Sequence, residues 1–325
     1  MRRLLLCSLG LVGALYLLPA FWQGGGAEQA APLPIPEAAS AAAAPPTLPQ
    51  TDTVTVEIDG KPVSLPLERY VEGVVAAEIP DSFPTAALRA QAVAARTYAV
   101  YKLTRGRPDA HPNADLCDDF RHCAAYRDPV QAASADGGIS NVQKAVRDTA
   151  GEILTCDGAP IAAVFHCVSG PRTEAAADVW GEDIPYLQSE VSPGGSACSE
   201  YEDAVTLPLD EFRRIVQTAW PAADLSGAPE GWFRSSDRSA AGGVRSVQLG
   251  GVTVKGGDVR EQFGLHSTNF TVDADADSIT FHTIGYGHGV GLSQYGAKYL
   301  AEQGEDYAAI LARYYRGTAL TALDG

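Results

Sequence analysis

Leu67 to Leu103 reads LERYVEGVVAAEIPDSFPTAALRAQAVAARTYAVYKL, two helices folded about the turn Ile79-Pro80-Asp81-Ser82. Pro66 suits the first turn of a helix and Pro80 ends one, because proline fixes φ and lacks an amide hydrogen. Tyr70, Val71, Val74 and Val75 form an apolar stripe at helical spacing, and Glu78 falls on it. A carboxylate on such a face is costly to ionise without a partner, so its pKa should rise, as a general acid working near neutral pH requires. Spacing alone also allows a helix-end glutamate turned to solvent or paired with an arginine.

The second helix opens near Ser82, a suitable N-cap, with Pro84 in its first turn. Its alanines permit close helix packing. Arg96 is the only charge between Arg89 and Lys102. A guanidinium in so apolar a run either reaches outward or is buried against an acid. Two roles follow: a salt bridge that fixes helix packing, or a group that hydrogen-bonds an anion or substrate near Glu78.

Upstream, Val54, Val56 and Ile58 alternate with polar residues and meet Val63 and Leu65 across Asp59-Gly60, a strand hairpin. Residues 27–52 are rich in Ala and Pro, bury little, and form a semi-extended linker. Met1-Arg2-Arg3 precedes an apolar run from Leu4 to about Trp22, long enough to span a bilayer. We expect residues 1–26 to be a transmembrane anchor rather than a cleaved signal peptide, since no small-x-small cleavage pattern follows the run. Its positive start keeps the N-terminus in the cytoplasm and exports a body of residues 53–325. The 325-residue chain carries 24 Lys and Arg against 40 Asp and Glu, a net charge of −16. So acidic a body argues against a nucleic-acid partner.

Beyond Gly106 the periodicity stops, and His111, Cys117 and Cys123 follow with five residues between neighbours. Imidazole and thiolate suit a soft divalent ion such as zinc. A Cys117–Cys123 disulfide in an exported protein is the alternative. Glu152 to His166 reads as two strands joined at Asp157-Gly158, which puts His166 and Ser169 at a strand end, where binding groups often sit. Trp180 is either an aromatic platform or ordinary packing. Among Cys156, Cys167 and Cys198, the pair Cys167–Cys198 is the preferred disulfide. Leu209–Ala219 is an amphipathic helix, and Val244–Val254 suggests strand, turn and strand. Gly285, Gly287, Gly289 and Gly291 alternate around His288, a backbone open to close approach by a ligand. No Lys-Ser/Thr follows them, so a nucleotide is not indicated. Ser293 caps a helix containing Gln294, and Asp306 starts a last one. The fold class is α+β, with mixed helices and short antiparallel strands around one groove.

In order, the segments LERYVEGVVAAEIP, FPTAALRAQAVAARTYA, TAGEILTCDGAPIAAVFHCVSG, TEAAADVWG, PYL, GYGHGVGLSQYGAKYLAEQG and ILARYYRG resemble the stage II sporulation protein D family, which also includes an amidase enhancer. The resemblance spans about residue 54 to the C-terminus. It implies a peptidoglycan lytic transglycosylase used in sporulation, acting on glycan strands from which amidases have removed the peptides. Glu78 matches the family's essential glutamate, and Arg96 the arginine of its AxAARTYA segment. His111, Cys117 and Cys123 match a zinc loop of some clostridial members, and a structural zinc beside the active site is implied. Cys167 stands where many relatives have serine, and Pro171 where a second glycine is usual.

Arg96, His166, Ser169, His288 and Gln294 are expected to hold the sugar or shape the pocket. A cell-wall amidase as partner and attachment to the cell membrane by the N-terminal helix are implied as well. Ordinary glycosidases need two carboxylates, whereas a lytic transglycosylase manages with Glu78 alone. The competing readings are a non-catalytic peptidoglycan-binding stimulator of an amidase, a zinc amidase or peptidase, and ordinary hydrolysis with Asp178, Glu174 or Glu72 approaching Glu78.

Overall fold

The computed structural model describes residues 52–129 and 139–323. The expected anchor, residues 1–26, and the linker up to residue 51 lie outside these. Among the described residues no helix is long and apolar enough to cross a membrane.

The first part of the chain runs β1 (Thr53–Ile58), β2 (Lys61–Pro66), α1 (Leu67–Glu78), α2 (Thr85–Arg105), β3 (Leu116–Cys117), α3 (Asn141–Asp148), β4 (Glu152–Cys156), β5 (Ala159–Pro160), β6 (Phe165–His166) and α4 (Ala176–Trp180). It then leaves this body for β7 (Glu202–Pro208), α5 (Leu209–Ala219), β8 (Phe233–Arg238), β9 (Val244–Leu249), β10 (Val252–Lys255), α6 (Gly256–Phe263), β11 (Phe270–Ala274) and β12 (Ser278–Ile284). It returns through β13 (Leu292–Ser293), α7 (Gln294–Glu302), α8 (Tyr307–Tyr314) and β14 (Ala319–Ala322). Mixed α+β architecture is therefore observed. Short antiparallel strands predominate among the described residues, as expected, while β1 with β3 and β6 with β13 pair in parallel. Each joins segments brought together across a long crossover, which frees them from hairpin geometry.

Two separate apolar cores result. One collects residues of α1, α2, β4, α7 and α8. The other is an aromatic cluster built on Phe212, Trp232, Phe263 and Phe281, contained wholly within the inserted β7–β12 segment. The amphipathic α5 supplies Phe212 and Val216 to it, as its periodicity predicts.

Helix α2 is the axis of the first core. It is buried along almost its whole middle, from Ala90 to Val100, and its alanines let α3, α7 and α8 pack on it. It starts at Thr85 rather than near Ser82, with Pro84 itself extended at the N-cap (φ −54°, ψ 142°). A residue that precedes proline is pushed away from helical angles, which keeps Phe83 out of the helix. Arg96 has no exposed surface. Its Nε and one terminal nitrogen donate to the two carboxylate oxygens of Glu68 on α1, at 2.8 and 2.6 Å. The carbonyls of Glu152 and Val146 accept from it at 3.1 and 3.2 Å.

Removing a buried guanidinium that holds one carboxylate and two carbonyls leaves polar groups unsatisfied. Arg96→Met is expected to lower unfolding free energy by about 3 kcal/mol, read as a lower urea midpoint at unchanged m. A loss below about 1 kcal/mol would place Arg96 among surface pairs instead.

Candidate active site

Glu78 is the last residue of α1, and Ile79 leaves the helix in an extended conformation (φ −137°, ψ 149°). The carboxyl is therefore carried at a helix edge, half-buried, on the apolar stripe. Gln294, at the start of α7 and 216 residues away, donates from Nε2 to Glu78 Oε2 at 3.0 Å. The backbone N–H of Ala125 is its second donor. Burial raises the Glu78 pKa above the ordinary carboxylate value, while these two N–H groups hold part of the rise back. Among the described residues no other carboxylate contributes to that shift. Asp178 is paired with Arg245 at 2.7 Å, Glu72 lies beside Arg69, and Glu174 accepts from the Gly243 N–H at 3.0 Å.

Gln294 is set by its helix. Ser293 caps α7 by accepting from the Gly296 N–H at 3.3 Å, and the Tyr295 N–H donates to the Cys167 carbonyl at 3.1 Å. The Tyr295 ring meets Phe83 edge-on, with centroids 5.3 Å apart. Cys167 and Cys198 face each other with sulfurs 4.0 Å apart, both as free thiols, so the preferred pair is brought together without a bond.

Ala125 belongs to the loop that carries the three candidate ligands. His111, Cys117 and Cys123 are all buried, and their ligand atoms lie within 4.8 Å of one another. His111 Nδ1 donates to the Ala114 carbonyl at 3.0 Å, and Nε2 lies 3.4 Å from the Cys123 sulfur. A carbonyl that accepts from the far ring nitrogen in this way is how metal-binding imidazoles are usually oriented. The Cys117 thiol holds the Cys123 thiol down to about 6. Two sulfurs and one imidazole suit zinc, and the fourth position is open. Tyr126 then stacks on Tyr70 of α1 at 5.8 Å, and the Arg127 N–H donates to the Gly73 carbonyl at 3.1 Å. The loop is thus tied along α1 up to the acid.

The remaining expected residues form a second group. His166 and His288 are neighbours, with ring centroids 5.6 Å apart. His166 Nδ1 donates to the Val290 carbonyl at 3.1 Å, and its Nε2 is buried with no partner among the described residues. Burial lowers its pKa to about 4. His288 is engaged at both nitrogens: Nε2 donates to the Phe165 carbonyl at 2.9 Å, and Nδ1 accepts from the Val290 N–H at 3.1 Å. Its pKa falls well below the ordinary value because of burial. His288 thus fastens the glycine strap, and Trp180 packs on it at 5.4 Å. Ser169 lines a cleft with Glu174, Asn269 and His288, its hydroxyl buried and unpartnered.

Two expectations are corrected. Arg96 is turned to Glu68 and does not meet Glu78, because every polar group around it belongs to the packing of α1, α3 and β4. The alternating glycines answer first to the chain's own backbone, although Gly285, Gly287 and Gly289 also line the cleft beside Ser169. Gly287 (φ +112°) lies where a Cβ would come 2.8 Å from His166 Cβ, and at Gly291 a Cβ would strike the Val164 carbonyl. The strap is filled by the chain's own segment 164–174. Gln294 is the expected residue that does reach the acid. Ala125, Tyr295 and Phe83 were missed, since a backbone N–H carries no residue signature and the two rings read as packing.

Glu78, its pKa raised by burial, thus stands beside an imidazole–thiolate loop on an α+β body with an inserted aromatic core. A family model described as stage II sporulation protein matches residues 61–156, which contain Glu78 and all three loop ligands. The chain is 35% identical to stage II sporulation protein D of Bacillus subtilis (strain 168) over 266 residues, covering 80% of this chain and 76% of that one. The Bacillus amyloliquefaciens protein of the same name gives the same identity and coverage. The amidase enhancer of Bacillus subtilis is 28% identical over 78% of this chain, which spans 40% of that relative. The chain belongs to the stage II sporulation protein D family.

The loop geometry predicts that the purified protein takes up one zinc per chain, measured by elemental analysis. Cys123→Ser should lose the metal and release Ala125, lowering the melting temperature in zinc but not in chelator. Equal zinc in wild type and Cys123→Ser would contradict the site.

Proposed function

We propose that this protein is a peptidoglycan lytic transglycosylase with a role in sporulation. It cleaves the bond between N-acetylmuramic acid and N-acetylglucosamine in peptide-stripped glycan strands. The observation that carries the reading is Glu78: one half-buried, pKa-raised carboxyl, held by Gln294 and the Ala125 N–H, with no second carboxylate perturbing it among the described residues. A hydrolase needs a second carboxylate to activate water or form a glycosyl-enzyme. A ring-closing cleavage does not.

Protonated Glu78 gives its proton to the glycosidic oxygen as the bond from muramic C1 to that oxygen breaks. The C6 hydroxyl of the same muramic residue attacks C1 and passes its proton to the Glu78 carboxylate. A 1,6-anhydro ring forms, the acid is regenerated, and no water is consumed. Burial supports the first step by favouring the neutral acid, and the two N–H donors support the second by stabilising the carboxylate. Gln294 orients the carboxyl. Ser169 and His166 are assigned to the sugar side of the groove, and His288 to shaping it. His111, Cys117 and Cys123 would hold a zinc ion, which would serve to order the loop that positions Ala125 rather than to make or break bonds. We place the body outside the cell membrane, anchored by residues 1–26, with a cell-wall amidase supplying the stripped strands.

The amidase-enhancer relative favours one second reading, a non-catalytic glycan-binding stimulator of an amidase. Digestion of stripped strands separates the two. Wild type should release 1,6-anhydro ends and Glu78→Gln none, at any zinc level; glycan bound but uncut by wild type selects the stimulator. A pH profile tests the acid itself. Activity should fall as pH rises through the Glu78 pKa. Gln294→Leu removes a donor that favours the charged form, so the midpoint should move upward by about one unit. A midpoint that stays or falls would contradict the assigned hydrogen bond.

A further inference from the structure

Among the described residues two arginines are buried, Arg96 and Arg260, and they differ in one respect. Arg96 has its carboxylate, Glu68. Arg260, on α6 of the inserted segment, is 9% exposed, and Nε donates to the Leu265 carbonyl at 3.2 Å. No carboxylate pairs with it among the described residues, and its terminal nitrogens have no hydrogen-bond partner there. The nearby acids are turned elsewhere: Asp203 lies 3.9 Å from His266, and Glu200 accepts from the Ser199 hydroxyl at 3.0 Å. Burial pulls Arg260 down to about 10, and only Tyr286 offsets this. A buried guanidinium without an anion is costly, and its planar fork matches a carboxylate.

Its surroundings tie it to the glycine strap. The Leu265 carbonyl that it holds precedes His266, whose own carbonyl accepts from the Gly287 N–H at 3.0 Å. Tyr286 stacks on His266 at 4.3 Å and lies within electrostatic reach of Cys167, which in turn feels Glu78. Two further buried polar atoms, His166 Nε2 and Ser169 Oγ, are unpartnered on the same side.

We infer that Arg260 is the carboxylate receptor of the groove, a specificity-determining residue that binds the free lactyl carboxylate of a muramic acid residue. The inference rests on the glycan reading above. In a peptide-bearing strand that carboxyl is an amide, with neither the charge nor both acceptor oxygens. N-acetylglucosamine lacks it altogether. A buried arginine therefore separates stripped from peptide-bearing muramic residues by chemistry alone, with charge-assisted hydrogen bonds available only to the former.

The test uses the full chain carrying Glu78→Gln, so that ligand is bound without being cut. The probes are a peptide-free tetrasaccharide of alternating N-acetylglucosamine and muramic acid, and the same compound with its lactyl carboxyls converted to methylamides. The free acid should bind about ten- to a hundredfold tighter. Adding Arg260→Met should abolish that difference while leaving methylamide binding unchanged, and Arg260→Lys should keep part of it. The ligand comparison needs no change at Arg260, so it stands even if Arg260→Met fails to fold. Equal binding of acid and methylamide overturns the role of Arg260 and leaves the glycan reading intact. No binding of either probe overturns both.

Discussion

A guanidinium with no exposed surface must find its whole hydrogen-bond complement inside the protein, and Arg96 does so across three elements at once. Glu68 of α1 meets it with both carboxylate oxygens, and carbonyls from α3 and the start of β4 complete the set. The Gly151 N–H donates to the same Glu68 carboxylate at 3.1 Å, and the Leu154 N–H to the Thr97 hydroxyl of α2 at 2.9 Å. These bonds fix the rotation of α1 about its axis against α2. That rotation decides which way Glu78, at the far end of α1, is aimed. The arginine therefore serves the acid by holding its helix, without touching it.

The acid itself is assembled from three separated segments: the end of α1, the loop at Ala125, and the start of α7. Two opposing effects meet there. Burial favours the neutral acid, whereas two N–H donors favour the anion, and burial is the larger. A group that must both give and take a proton benefits from such a balance. The loop and α7 are anchored independently. Stacking on Tyr70 holds the first, and the strap at His288 together with the β6–β13 pairing holds the second.

Local chemistry made much of this legible in advance. Pro66 and Pro80 bound α1, the 3.6-residue stripe puts Glu78 on its buried face, and the equal spacing of His111, Cys117 and Cys123 brings three ligands onto one loop. Long-range pairing did not show. Nothing local in AVAARTYA says that Arg96 meets Glu68, 28 positions earlier, rather than a ligand. The alternating glycines announced a close approach, but not that the approaching atoms are residues 164–174 of the same chain. The insertion of a second aromatic core between Glu202 and Ile284 was also hidden, because its strands read like any others. Arg260 carries no signal in the sequence, since the lack of a partner is a property of the folded molecule alone.

The central claim is that one carboxyl performs both proton transfers and water takes no part. Cleavage of stripped glycan in water enriched with oxygen-18 tests this directly. The account predicts 1,6-anhydro products with no label at muramic C1. One labelled oxygen at C1 for each bond broken would contradict it.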